Sequence, residues 1–169
     1  MVRVHHHASE FPGHASGQPR TVLTVGTFDG VHTGHRAVLQ QLREVANRHN
    51  ASTTLLSFTP HPRVVLDPNH HGLKLLNTLE ERRELLADAG LDNLVLHPFT
   101  KDLANLTPWE YAKTLLADCI KPVAVVIGDD HRFGRHRAGN FDTLVTLGQA
   151  FGFEVEALDA HRVEDVRVS

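Results

Sequence analysis

Cysteine is almost absent. Cys119 stands alone in 169 residues, which excludes an intrachain disulfide framework and a cysteine-based zinc cluster. No apolar run is long enough to span a bilayer as a helix, and the N-terminus lacks the apolar centre of a secretory signal. A soluble protein of the reducing cytoplasm, without membrane contact, is therefore expected. Excess positive charge is missing too: 17 Lys and Arg face 20 Asp and Glu, for a net charge of -3. No global field gathers nucleic acid or an anionic membrane, so a phosphate-bearing partner must be held by a local site. With 41% hydrophobic and 22% charged residues, the composition is that of one ordinary globular domain, neither disordered nor fibrous.

Histidine is the residue in excess, with 14 copies. His5, His6, His7 and His14 fall in residues 1–20, a stretch with Pro12, Gly13, Gly17 and Pro19 and no hydrophobic period. That stretch reads as a disordered leader outside the fold, leaving 21–169 as the domain. His49, His70, His71, His97, His136 and His161 read most simply as surface or loop residues.

Beyond the leader, apolar strand signals alternate with helical stripes. Val22-Leu23-Thr24-Val25 is a strand, and Arg36 to Asn50 places Val38, Leu39, Leu42, Val45 and Ala46 on one helix face. Thr53 to Phe58 is a second strand, followed by a helix that opens on the capping box Thr78-Leu79-Glu80-Glu81 and stops at Gly90. Asn93 to Leu96 is a third strand; Thr107-Pro108-Trp109-Glu110 opens a helix to about Cys119. Val123 to Ile127, a helix over Asp142 to Phe151, and a strand over Phe153 to Leu158 complete the pattern. Strands separated by helices predict an α/β fold, a three-layer Rossmann-like arrangement around a mainly parallel five- or six-stranded sheet.

Ligands of such sheets sit beyond the carboxyl ends of the strands, so the loops after Val25, Phe58, Leu96 and Ile127 are the ones to inspect. The first runs Gly26-Thr27-Phe28-Asp29-Gly30-Val31-His32-Thr33-Gly34-His35. Its glycines allow close backbone approach, and the helix it opens presents free N–H groups to an anion. His32 and His35 are three apart and share one side of a first helical turn. Imidazoles so placed can donate to phosphate oxygens and stabilise charge developing on phosphorus, which suits phosphoryl or nucleotidyl transfer. A metal pair would favour i, i+4 spacing with a third ligand and a general-base Glu, which the segment does not supply, so no protein-held metal is expected. The loop is neither a Gly-Lys-Ser/Thr P-loop nor Gly-x-Gly-x-x-Gly, so a P-loop kinase and a dinucleotide oxidoreductase both lose ground.

This loop resembles the His-x-Gly-His signature of the nucleotidyltransferase superfamily, in the extended form found in bacterial FAD synthases. Phe58-Thr59-Pro60-His61-Pro62 is similar to that family's flavin-side Phe-x-Pro-His-Pro loop, Leu76 to Glu81 to its helix opening, and Pro98-Phe99-Thr100 to its third-strand exit. Gly128-Asp129-Asp130-His131-Arg132-Phe133-Gly134, with Arg135, Arg137 and Gly139, resembles its nucleotide loop. The likeness runs from about Thr21 to Ser169 in the family's order.

The resemblance implies FMN adenylyltransferase activity: AMP passes from Mg-ATP to the phosphate of FMN, giving FAD and pyrophosphate. It assigns His32 and His35 to the triphosphate and the transition state. Gly26, Thr27, Phe28, Asp29, Gly34, Asp130, Arg132, Phe133, Gly134 and Ser169 go to ATP, with Arg132 as a planar multi-donor cation. Phe58, Pro60, His61 and Pro62 go to the flavin, where apolar surfaces take the ring. By themselves, Arg132 could be a solvated surface residue and the Pro60–Pro62 turn a strand-ending loop. Family members carry a later signature of the type Ile-Ser-Ser-Thr-x-x-Arg, and Arg167-Val168-Ser169 matches only its first step. The covalently linked riboflavin kinase domain of the bifunctional family is also expected beyond this chain, so weak binding and slow turnover are expected of the 169 residues alone. His131 occupies a position that is often aromatic in the family. Two alternatives stand beside this reading: a sister nucleotidyltransferase charging another phosphate, and a non-catalytic flavin- or nucleotide-binding fragment.

Overall fold

The computed structural model describes residues 2–11, 20–26, 33–59, 65–66, 79–128 and 130–158. Six strands form one sheet: β1 (Arg3–His5), β2 (Thr21–Val25), β3 (Ser52–Thr59), β4 (Asn93–Pro98), β5 (Ala124–Ile127) and β6 (Glu154–Ala157). Their order is β1-β4-β3-β2-β5-β6, and every pairing is parallel. The connections include α1 (Thr33–Arg48), α2 (Leu79–Asp88), α3 (Lys101–Ala104), α4 (Pro108–Tyr111) and α5 (Phe141–Phe151). A π-helix, Ala112–Ile120, continues α4.

Side-chain alternation along each strand divides the core in two. Val22, Leu55, Leu94, Leu96, Ala124 and Val126 face a cluster completed by Val38, Leu39, Leu42, Val45 and Ala46 of α1 and Leu86 of α2. Leu23, Leu56, Val95, Val125 and Ile127 face the other way, onto Leu115, Leu116 and Ile120 of the π-helix and Leu144 and Leu147 of α5. The sheet is thus buried on both faces, which is why its strands read as continuous apolar or β-branched runs. Three layers result, as the alternation of strands and helices predicts.

The Thr107 signal forms the expected capping box. Glu110 N–H donates to Thr107 Oγ1 at 3.2 Å, Thr107 N–H donates to Glu110 Oε1 at 3.0 Å, and Pro108 occupies the first turn. The cap of α2 at Thr78 lies outside the described residues.

Residues 2–11 correct the expectation of a disordered leader. Arg3, Val4 and His5 pair with Asn93, Leu94 and Val95, adding the outermost strand. A 3₁₀ turn at Ala8–Glu10 follows, and Val2, Ala8 and Phe11 are buried. Three strand residues are too few to carry a period, and the apolar residues that anchor them are scattered; sheet pairing and burial supply what local pattern could not. His97 needs correction for the same reason: expected at the surface, it is buried beneath this segment, with Ala8 N–H donating to its Nδ1 at 3.0 Å. Its ring also lies 4.3 Å from that of His7.

Candidate active site

Chain order and spatial order part company at the centre of the sheet. From β2 the chain adds β3 and β4 on one side, then crosses to place β5 and β6 on the other. The switch lies between β2 and β5, and a crevice forms there beyond the carboxyl ends of the strands. A cavity of about 590 Å³ lies at this end. Val25 and Gly26 reach it from the end of β2, Phe58 from β3, Phe99 from beyond β4, and His131 to Arg137 from the loop after β5. Leu66, Leu103, Ala104, Asn105 and Tyr111 complete the lining.

Aromatic contacts set the shape of the wall. The Phe58 ring meets Phe99 edge-to-face, with centroids 5.6 Å apart, and stands edge-on to His97 at 6.4 Å. Across the cavity, Tyr111 and Phe133 lie 5.2 Å apart, and His131 stacks near Phe133 at 6.1 Å and 24°. Such offset and edge contacts hold flat rings in fixed orientations. Burial pushes the Tyr111 hydroxyl far above its usual range, so it stays protonated. His131 is held below the ordinary imidazole range by burial first, opposed by Asp130 and reinforced by Arg132.

The loop after β5 folds back on itself. Phe133 and Gly139 exchange N–H to carbonyl hydrogen bonds at 3.1 and 2.9 Å, and Arg135 N–H donates to Leu106 O at 2.7 Å. Gly134 has φ of 78°, and a Cβ there would stand 2.9 Å from the Pro108 backbone, so glycine is required. A Cβ on Gly139 would lie 2.7 Å from the Phe133 ring. Between them, His136 and Arg137 hold positive φ of 57° and 55°. Arg132, Arg135 and Arg137 have no ion-pair partner among the described residues.

The expected site residues divide accordingly. Gly26, Phe58, Arg132, Phe133 and Gly134 come together around the cavity, and Asp130 directly precedes its His131 wall. Gly34 and His35 lie in the first turn of α1, whose start follows the end of β2. His32, Thr27, Phe28, Asp29, Pro60, His61, Pro62 and Ser169 lie outside the described residues. Tyr111, Leu66 and Leu103 line the cavity without having been singled out; each sits in or beside a short helical stretch whose residues read as ordinary packing. His136 is an exposed loop residue, as expected, and also lies at the cavity edge. Among the described residues, no group of three or more His, Cys, Asp or Glu could hold a metal ion, and no helix is long and apolar enough to cross a membrane.

Comparison with known proteins agrees with this geometry. A crystal structure described as a macrolide-efflux protein from Streptococcus pneumoniae shares the fold, with a TM-score of 0.77 at 22% identity over 92% of this chain and 49% of that one. The bifunctional riboflavin kinase/FMN adenylyltransferase of Escherichia coli K12 is 33% identical over 169 residues, covering 100% of this chain and 52% of the relative. Its counterpart in Pseudomonas fluorescens is 34% identical over 148 residues, covering 88% of this chain and 47% of the relative. The chain thus spans about half the length of the curated relatives it matches. The FAD synthetase family model matches residues 14–169, a span holding the loop after β2, the aromatic cavity and the glycine-hinged loop after β5. On that match, the chain belongs to the FAD synthetase family.

Proposed function

We propose that this chain is the FMN adenylyltransferase module of a bifunctional enzyme, transferring AMP from Mg-ATP to FMN. The observation that carries the reading is the aromatic-walled cavity at the sheet switch point, opening beside the first residue of the His-x-Gly-His loop. Its volume and flat walls suit an isoalloxazine ring, with Phe58 and Tyr111 available for stacking. Pro60, His61 and Pro62 extend the flavin side in this reading.

An oxygen of the FMN phosphate attacks the α-phosphorus of ATP, forming a new P–O bond as the bond to the β-phosphate oxygen breaks and pyrophosphate leaves. The attacking phosphate is already ionised, so no general base is needed. His32 and His35 bind the triphosphate and stabilise the charge that develops during transfer. Gly26, Thr27, Phe28, Asp29 and Gly34 form the nucleotide cradle, while Asp130, Arg132, Phe133 and Gly134 close over it, with Ser169 at the phosphate end. Mg²⁺ arrives as part of the ATP substrate. The single cysteine supports a cytoplasmic enzyme, and the lack of excess positive charge supports one that holds small phosphorylated substrates at a local site. The length of the relatives supports a linked riboflavin kinase domain that makes FMN from riboflavin.

Incubation of the purified chain with FMN and Mg-ATP tests this, following FAD by its quenched flavin fluorescence and pyrophosphate by a coupled assay. FAD and pyrophosphate should form in equal amounts. His32→Ala and His35→Ala should each lower turnover by about a hundredfold or more while leaving FMN binding intact. Equal loss of turnover and FMN binding would show that the two histidines are structural.

A further inference from the structure

The flavin cavity is apolar through most of its wall, yet one edge is strongly basic. Arg135, His136 and Arg137 form a single exposed 3₁₀ turn that lines the cavity. Two adjacent non-glycine residues of this turn, His136 and Arg137, occupy the left-handed region. Each such residue is strained and persists only where surrounding structure enforces it. The enforcing contacts are present: Gly134 turns the chain where no Cβ fits, Arg135 N–H is tied to Leu106 O, and the Phe133–Gly139 bridge closes the loop. The backbone is therefore held in an unfavourable shape that keeps two guanidinium groups, two residues apart, at the cavity. Neither Arg135 nor Arg137 makes a close ion pair with a carboxylate among the described residues, though Glu110 lies near enough to feel the charge of Arg135.

An aromatic cavity edged by arginines is complementary to a flat ring that carries a dianion. Guanidinium groups recognise phosphate through paired, charge-assisted hydrogen bonds, and beside a low-dielectric wall those bonds gain strength. We infer that the Arg135–Arg137 turn holds the phosphate of the flavin and makes the site select the phosphorylated flavin over riboflavin. This rests on the flavin reading above and adds the anion anchor that the reading leaves unassigned. Arg132, one turn earlier, remains with the nucleotide. Selection has a chemical purpose: riboflavin bound here would fill the cavity without offering the attacking oxygen.

The test measures FMN and riboflavin affinities of the whole chain by flavin fluorescence and ATP affinity by calorimetry, for the wild type, the Arg135→Ala/Arg137→Ala double variant and Arg137→Lys. Wild type should prefer FMN to riboflavin by about tenfold or more. The double variant should lose that preference with riboflavin and ATP affinities unchanged, and the unchanged riboflavin affinity reports an intact fold. Arg137→Lys, which keeps charge but not the planar fork, should fall between. Rising salt should weaken FMN binding to wild type and leave riboflavin binding level. Equal affinity of wild type for the two flavins, or a double variant that loses ATP while keeping its FMN preference, would overturn the inference and leave the flavin cavity standing. Failure of both flavins to bind wild type would overturn the functional reading and this inference with it.

Discussion

The backbone N–H of Ala8 donates to Nδ1 of His97 at 3.0 Å, joining residues 89 apart in sequence. The bond requires a neutral ring with its proton on Nε2. Burial, and secondarily His7 nearby, lowers the His97 pKa from 6.5 to about 4. Below pH 6.5 the unfolded chain therefore takes up a proton at this position that the folded chain refuses, and stability drains away as pH falls from about 6.5 to about 4.

The loss attached to His97 is at most about 3 kcal/mol over that window. Urea denaturation at pH 7.5 and at pH 4.5 measures it. His97→Gln, which can still accept from Ala8 but does not titrate, should be less stable at neutral pH and show a shallower decline toward acid. An unchanged pH slope in this variant would sink the assignment.

Phe11 is 8% exposed and meets the His5 ring edge-on at 5.4 Å. Removing that ring leaves a cavity under the N-terminal segment. Phe11→Ala should cost about 3 kcal/mol, read as a shift of the urea midpoint at pH 7.5. No shift would mean that residues 2–11 do not contribute to the folded core.

Gly139→Ala directs a methyl group into the Phe133 ring, 2.7 Å from its ideal Cβ position. Phe133 is buried at the cavity wall and cannot yield without moving against Tyr111. FMN affinity should drop by about tenfold, with a loss of roughly 1–3 kcal/mol in stability. Titration followed by flavin fluorescence, with thermal unfolding alongside, separates the two effects.

Lys121 ends the π-helix with φ of 52°, a conformation in which its Cβ is crowded, and its N–H donates to Leu116 O at 2.6 Å. Lys121→Gly keeps that backbone bond and relieves the crowding. A gain of about 0.5–1 kcal/mol is expected in urea denaturation.

Much of the fold was legible because its elements advertise themselves locally. Thr53 to Phe58 is β-branched and apolar throughout, as a strand buried on both faces must be, and Thr107 and Glu110 form their capping box from four adjacent residues. The elements that were not legible depend on distant partners. Arg3–His5 becomes a strand because Asn93–Val95 offers an edge. The π-helix at Ala112–Ile120 replaces part of an α-helix whose usual spacing its residues mimic. Within the site, glycine loops and the Phe58 turn drew attention by their unusual chemistry. Tyr111 did not, since its place on the cavity wall comes from the packing of the helix that carries it. The basic turn at Arg135–Arg137 was visible as composition, but only its left-handed backbone set it at the cavity edge.

β1 also bears on the order in which the chain can assemble. It leaves the ribosome well before β4, its strand neighbour among the described residues, which lies about 90 residues later. Until Pro98 has emerged, Arg3–His5 has no edge to join and the hydrophobic side chains of Val2 and Phe11 have no finished core to enter. Closing so long a loop adds little entropy beyond closing a moderate one, but the shorter-range pairs β2·β3 and β3·β4 are expected to form before it. This segment is thus made early and docked late, a clasp that seals one edge of the sheet after its centre has formed.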